Sequence, residues 1–357
     1  MAARDRCVNC GVMLEAFAVV RDDQFPVATR SGVSTVVARN GQIVLSGLGG
    51  RLGLFDPRGR FVRIIARPGD GPGEFRYPLA SSFTAGDSLV VVDPIHRRGT
   101  LLLSTLTGVA RTFPIWPSAS IEASGMPWIA SGLVDRPEVP RRPLHLLSSD
   151  GAVLVSAGPA MPDTIRQQER VLARRFSPAG EGLIASVPGT ELRLELIDRQ
   201  LRVRRSFTHK YSWFPPYRDS EYGGPPDTPR WQTQVMGLST DTVKGIAYVF
   251  VVRRASHPGG GTNSGKDARR EPRIPTLAEL DRFVETYVEL LDLRTGRRLA
   301  NVTVSGKLVP AIHPQTNGNG VIAFKDSLTS EGEEVRVLYR LRHAAGAGQH
   351  STTVRSR

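Results

Sequence analysis

Residues 67–93 read RPGDGPGEFRYPLASSFTAGDSLVVVD. Gly69, Gly71, Pro72 and Gly73 crowd a connector in which glycine takes backbone angles that other residues avoid. Glu74-Phe75 and Tyr77-Pro78 follow, then a short apolar strand, a turn at Gly86-Asp87 and a second strand ending at Asp93. No helical period runs through this stretch; the apolar residues come in short runs closed by turn residues. A chain organised around such a segment folds as hairpins joined by sharp turns, which is an all-β architecture.

The same unit recurs. Expected strands are 34–38, 42–46, 51–56 and 61–66 in a first unit, and 79–83, 88–93, 99–104 and 109–115 in a second. A third unit is weaker, at 120–124, 127–131, 143–148 and 152–157, and a fourth is clear, at 171–176, 182–187, 191–197 and 203–208. The fifth, at 233–238, 245–252, 286–293 and 298–304, is interrupted by a long insertion. Asn40-Gly41 predicts a two-residue hairpin turn with φ > 0 at both positions. Asp56-Pro57-Arg58-Gly59 and Asp150-Gly151 predict further turns. One helix is expected over 276–284, with Thr276 as N-cap and Glu279 completing a capping box.

A sixth unit supplies only three strands, 308–312, 320–325 and 335–341. The N-terminal segment 13–20 is β-like and lacks a local partner. Pairing it with 335–341 closes a ring and leaves no sheet edge open. The expected fold is therefore a six-bladed β-propeller whose last blade is completed by an N-terminal strand. It would carry an extension over 1–12, a propeller over 13–342 with insertions at 209–231 and 253–284, and a disordered tail over 343–357. The 36 glycines and 26 prolines suit many turns between short strands.

Gly69, Gly71, Pro72, Gly73, Phe75, Pro78, Asp93 and Arg98 together resemble the NHL repeat, the unit of a family of six-bladed propellers. His96 stands where that repeat usually has Asn. The first unit keeps Arg51 but has Ser46 in place of the Asp, and the fourth keeps only Arg193, so the motif covers about one blade. The resemblance implies an interaction scaffold. It also implies an alternative, because some relatives are lyases, lactonases or esterases with a metal in the central channel.

The formal net charge is +13, yet only five of the 47 cationic side chains are lysines. The arginines come as scattered pairs, among them Arg174-Arg175, Arg204-Arg205 and Arg297-Arg298. A nucleic-acid surface more often concentrates its basic residues in one run with interleaved aromatics, so RNA or polyanion binding is a second alternative and not the leading one. Cys7 and Cys10 have CxxC spacing without the second pair that a structural zinc site needs. No apolar run reaches the ~18 residues of a membrane-spanning helix. Segment 11–20 is broken by Glu15 and lacks the features of a signal peptide. The chain as written is expected to be a cytoplasmic monomer, or exported if a signal peptide lies upstream.

Motifs that carry chemistry are few. Gly260–Lys266, GGTNSGK, approaches a phosphate-binding loop, but Asp267 replaces the magnesium-binding hydroxyl and Pro272 and Pro275 bar the following helix. The connector at Gly69–Gly73 precedes a strand and not a helix, so it reads as an inter-blade turn and not an anion cradle. Asp93, Glu122 and Asp326 are carboxylates near inner strands and could contribute to a channel Ca²⁺ or other divalent metal; structural roles are the primary reading, and no cofactor is expected. The most suggestive stretch is 209–231, HKYSWFPPYRDSEYGGPPDTPRW. Tyr211, Trp213, Phe214, Tyr217, Arg218, Tyr222, Arg230 and Trp231 are the candidate ligand-binding residues. Aromatics and arginines among prolines give a large contact area at low entropic cost. The expected function is thus a non-catalytic binding scaffold for a protein or small molecule on one propeller face.

Overall fold

The computed structural model describes residues 10–21, 34–46, 49–116, 120–132, 142–158, 174–189, 191–211, 214, 234–254, 284–312 and 320–345. All regular structure among them is β. The first strand, β1 (Cys10–Arg21), belongs to the end of the story. Blade 1 comprises β2 (Thr35–Val37), β3 (Ile43–Ser46), β4 (Leu52–Phe55) and β5 (Phe61–Pro68), with β6 (Glu74–Phe75) added in parallel to β5. Blade 2 holds β7 (Leu79–Phe83), β8 (Leu89–Asp93), β9 (Arg98–Leu102) and β10 (Val109–Pro114). Blade 3 holds β11 (Ser120–Glu122), β12 (Trp128–Ser131), β13 (Leu144–Leu147) and β14 (Val153–Ala157). Blade 4 holds β15 (Arg174–Gly180), β16 (Leu183–Pro188), β17 (Arg193–Ile197) and β18 (Val203–Thr208). Blade 5 holds β19 (Gln234–Asp241), β20 (Ile246–Arg254), β21 (Val284–Asp292) and β22 (Arg298–Ser305). Blade 6 is β23 (Leu308–Pro310), β24 (Val321–Leu328) and β25 (Glu334–Ala345), with β1 antiparallel to β25 as its outer strand.

The inner strands form a ring. β2 touches β7, β7 touches β11, and the series continues through β15 and β19 to β23. It closes where the Val37 N–H donates to the Ile312 carbonyl at 2.8 Å and the Ile312 N–H donates to the Thr35 carbonyl at 2.9 Å. The expected closure by the N-terminal strand is what the structure shows, and it runs longer than expected, from Cys10 against Ala345 to Arg21 against Val335. The six sheets form the six-bladed propeller read from the sequence.

The core is divided into seams between neighbouring blades. Val44, Leu54, Phe83 and Val91 pack blade 1 on blade 2, and Val90, Phe113, Trp128 and Leu147 pack blade 2 on blade 3. Ala185, Val187, Leu194, Val249, Val251 and Leu291 fill the seam between blades 4 and 5. A second strand such as β8, LVVVD, is buried on both faces and so reads as an unbroken apolar run. An outer strand such as β5 has one face in water and alternates.

A buried or half-buried hydroxyl sits at every junction of the ring. Ser34 Oγ accepts the Ala80 N–H at 2.7 Å, and Ser81 Oγ accepts the Ile121 N–H at 2.9 Å. Ser131 Oγ accepts the Arg174 N–H at 3.2 Å, and Ser177 and Thr240 share a hydrogen bond of 2.8 Å. Thr286 Oγ1 accepts the Leu308 N–H at 2.8 Å, and Arg336 donates to Thr35 Oγ1 at 3.0 Å. Each of the inner-strand N–H groups so capped would otherwise be a buried donor without a partner, which costs about 1–3 kcal/mol.

Three local expectations are corrected. Asn40 does not take a positive φ; only Gly41 does, at 83°, and the Gly41 N–H bonds back to the Ala38 carbonyl at 2.9 Å. The Asn40 side chain instead accepts the Gln42 N–H at 3.0 Å, which makes a longer turn sufficient. In the segment expected to be helical over 276–284, Val284 opens strand β21, opposite Arg254; residues 276–283 lie outside the described residues. The inner strand of blade 4 begins at Arg174 among the described residues and extends to Gly180, four residues past its expected end. The GGTNSGK stretch and Cys7 also lie outside the described residues. Among the described residues no helix is long and apolar enough to cross a membrane.

Candidate functional site

The NHL-like segment proves to be a structural latch. Asp93 ends β8 with its side chain fully buried. Its carboxylate accepts the N–H groups of Arg76 at 2.7 Å, Ile95 at 3.1 Å and His96 at 3.3 Å. Burial pushes the Asp93 pKa up, but these donors and the neighbouring His96 outweigh it and hold the carboxyl below the usual range. His96, in the place of the usual Asn, bridges Asp93 at 3.0 Å and Asp70 at 2.7 Å. Arg98 donates to the backbone carbonyls of Glu74 and of Asp70. Gly73 takes φ of 78°, and a Cβ there would sit 2.8 Å from Val109 Cγ2, so the connector needs glycine.

The other two channel-side carboxylates are also occupied. Glu122 pairs with Arg199 at 3.1 Å and accepts the Ser124 N–H at 2.8 Å. Asp326 accepts from Arg336 at 2.6 and 2.9 Å. The three belong to blades 2, 3 and 6 and do not converge, and among the described residues no group of three or more His, Cys, Asp or Glu is placed to hold a metal.

The candidate site lies on the seam between blades 4 and 5. The end of β18 and the turn joining β21 to β22 border an open cleft of about 580 Å³, lined by Phe207, His209, Lys210, Tyr211, Arg297 and Arg298 among others. The His209 N–H bonds to the Leu192 carbonyl at 2.9 Å and carries the chain past β18 toward Tyr211. On the other wall Asp292 accepts the N–H groups of Arg294 at 2.9 Å and Thr295 at 2.7 Å, fixing the turn. Gly296 faces the Phe207 ring so closely that a Cβ would run into it, which lets this wall sit flush on blade 4.

Behind the cleft lies Glu289, on β21 and with no accessible surface. Tyr211 donates its hydroxyl to one carboxylate oxygen, and Arg298 Nε is 4.0 Å from the same oxygen. The other oxygen, Oε2, is buried without a hydrogen-bond partner. Burial drives the Glu289 pKa up to about 7, against smaller opposing effects of Tyr211 and Arg298. Burial, followed by the adjacent Glu289 carboxylate, raises the phenols of Tyr211 and Tyr287, the latter to about 12. The Tyr211 ring stacks near parallel to His209, with centroids 6.4 Å apart, and meets Tyr287 edge-on at 6.4 Å. The Arg298 guanidinium lies 5.8 Å from the Tyr211 centroid. Burial lowers the His209 pKa, so its imidazole is neutral near pH 7.

Of the residues singled out in 209–231, Tyr211 is thus at the cleft wall. Phe214 is 7% exposed and packs in the core of the blade 4–5 seam with Val187, Leu194 and Val251. Trp213, Tyr217, Arg218, Tyr222, Arg230 and Trp231 lie outside the described residues. Sequence reasoning passed over Glu289, Tyr287, Arg297 and Arg298 as parts of a site. One signal was present: Glu289 interrupts the otherwise apolar run of β21, VETYVELLD.

Chemically, the cleft pairs an aromatic wall with a cationic rim. Lys210 and Arg297 are exposed and form no ion pair among the described residues. Glu289, the one carboxylate among the described residues with a pKa near neutrality, has no accessible surface, so it is not presented to a substrate as an acid or base.

No protein-family model and no curated protein matches the chain. Among solved structures it is similar to a member of the DUF4221 family from Bacteroides vulgatus, at 13% identity and a TM-score of 0.61, covering 95% of this chain and 100% of that one. It is also similar to a putative exported protein from Bacteroides fragilis, at 12% identity and a TM-score of 0.58, covering 93% of this chain and 95% of that one. Likeness at this level of identity speaks to the propeller fold alone.

Proposed function

We propose that this chain is a non-catalytic binding propeller, NHL-like in blade 2, whose blade 4–5 cleft recognises an acidic segment of a partner protein. One observation carries the reading: the cleft offers Lys210, Arg297 and Arg298 beside the Tyr211 and His209 rings, and among the described residues its lining holds no carboxylate. Cations over aromatic surface favour a ligand with carboxylates and flat or apolar side chains. Trp213, Tyr217, Arg218, Tyr222, Arg230 and Trp231 follow Tyr211 in the chain and are assigned to the same surface, with Phe214 as its packed anchor. Several arginines elsewhere are engaged inside the fold, as Arg199 is on the Gly125 and Pro127 carbonyls, which weakens the case for a general polyanion face.

The test is fluorescence anisotropy with a labelled Glu- and Tyr-rich peptide. Reversing both rim charges, Lys210→Glu with Arg297→Glu, removes about 1–2 kcal/mol of attraction and weakens binding roughly tenfold. Equal affinity of the wild type and the double variant would defeat the cleft assignment. Tighter binding of single-stranded RNA than of the peptide would favour the polyanion reading instead.

A further inference from the structure

The cleft continues onto an open sheet edge. β18 is the outer strand of blade 4 and has β17 as its one strand neighbour among the described residues. Val203, Arg204, Arg205, Ser206 and Thr208 are exposed along it, and Phe207 is half-buried. Other outer strands are less open. The edge of β5 is covered at its end by β6, and β22 lies against β1. β10 ends at Pro114, which has no N–H to offer a neighbour. β14, VLVSA, is partly open but carries no charge.

The ladder shows which backbone groups β18 leaves free. The His209 N–H donates to the Leu192 carbonyl at 2.9 Å, in register with Arg193 opposite Thr208 and Leu194 opposite Phe207. In an antiparallel pair the hydrogen-bonded residues alternate with residues that point the other way. His209, Phe207 and Arg205 therefore turn their N–H and C=O groups to β17. Ser206 and Thr208 turn theirs to the open edge. A free row of this kind is a template for one more strand.

Charge decides which strand it accepts. Arg204 and Arg205 stand on the edge and Lys210 follows it, all three exposed. The β21–β22 turn of blade 5 adds the exposed Arg294 and Arg297. That turn lies against β18: Arg205 donates to the Arg294 carbonyl at 3.4 Å, and Gly296 abuts the Phe207 ring. Two nearby carboxylates are committed. Asp198 accepts from Arg202 at 2.9 Å and from Arg204 at 2.8 Å, and Asp292 holds its own turn. The remaining cations turn away neutral and basic strands, and an acidic strand removes that obstacle.

We propose that an extended acidic segment of the partner protein adds to the edge of β18 as a further strand of blade 4 and runs from there into the blade 4–5 cleft. The inference rests on the cleft reading above and adds the backbone pairing that fixes the segment's conformation. The six residues of β18 span about 20 Å, so about six residues of the partner cover the edge. Main-chain bonds to Ser206 and Thr208 hold the segment, and acidic residues at every second position meet Arg205 and the blade 5 turn.

The full chain is tested with the labelled Glu- and Tyr-rich peptide, by amide hydrogen exchange read residue by residue. Ser206 lies outside the cleft lining, so its amide separates strand addition from binding in the cleft alone. Saturating peptide should slow exchange at Ser206 by about tenfold or more and leave Leu154 on β14 unchanged. Two further peptides keep the same charges and are each N-methylated at one alternate set of residues. The set that faces β18 should weaken binding by about tenfold, and the set that faces solvent should leave it close to that of the unmodified peptide. Peptide binding with unchanged exchange at Ser206 would overturn strand addition and leave the cleft reading standing, as would equal affinity of all three peptides. No binding of the unmodified peptide to the wild type would overturn both.

Discussion

Blade 2 and blade 5 each bury a carboxylate, and they treat it in opposite ways. Asp93 sits at the end of β8 and is met by backbone N–H groups from Arg76, Ile95 and His96, all within 17 residues of it. Glu289 sits mid-strand on β21 and is met by a phenol 78 residues earlier in the chain, with its Oε2 unpartnered. Fixed local donors favour the charged form, so the Asp93 pKa falls despite burial. A single long-range neutral donor does not offset desolvation, so the Glu289 pKa rises to about 7. The first arrangement is a latch. The second leaves a buried carboxylate oxygen without a partner behind the cleft.

Three changes sharpen or break this contrast, in falling order of effect. Glu289→Gln comes first. A folded pKa raised from 4.5 to about 7 gives stability that is fully present below pH ~4.5 and lost as pH rises through about 7. The glutamine variant lacks that loss. Its stability relative to wild type should therefore improve by about 3 kcal/mol between pH 4.5 and pH 8. A difference that does not change with pH would show that Glu289 titrates normally.

Asp93→Ala comes next. It removes the acceptor of three part-buried N–H groups at once and should destabilise the protein by about 2–3 kcal/mol in urea unfolding. A loss under 1 kcal/mol would mean that the latch is incidental. The sign for Asp93 is that of a depressed carboxyl: its contribution is present above the unfolded pKa and is lost as pH falls through the folded one. Tyr211→Phe is the smallest. It removes the one hydroxyl donor to Glu289 and should cost about 1–2 kcal/mol at pH 8, where the carboxylate is charged, and less at pH 5. An equal cost at both values would make Tyr211 a packing residue only.

The contrast also marks what the sequence could tell. Strand rhythm, the glycine connector and the closing pair of termini are local or periodic signals, so the propeller and its N-terminal closure were readable in advance. Asp93 was singled out because its donors lie in the same motif. The blade 4–5 cleft was half visible: Tyr211 stood out among the aromatics, but Glu289, Tyr287 and Arg298 come from other strands, and no spacing rule joins residues that only ring closure brings together. Phe214, an aromatic in a loop-like stretch, packs in the seam, a placement that composition does not reveal. Thr276 and Glu279 lie outside the described residues; at Val284, the last residue of the expected helix, pairing with Arg254 decides for strand.

The most direct measurement is a carbon-detected NMR titration of the Glu289 side-chain carboxyl in the intact chain, assigned with Glu289→Gln. The account predicts a midpoint near 7, with the Asp93 carboxyl titrating below its ordinary value of 3.8 in the same sample. A Glu289 midpoint at the ordinary 4.5 would mean that its second oxygen is satisfied after all. The distinction between the latch in blade 2 and the open seam at blades 4 and 5 would then fall.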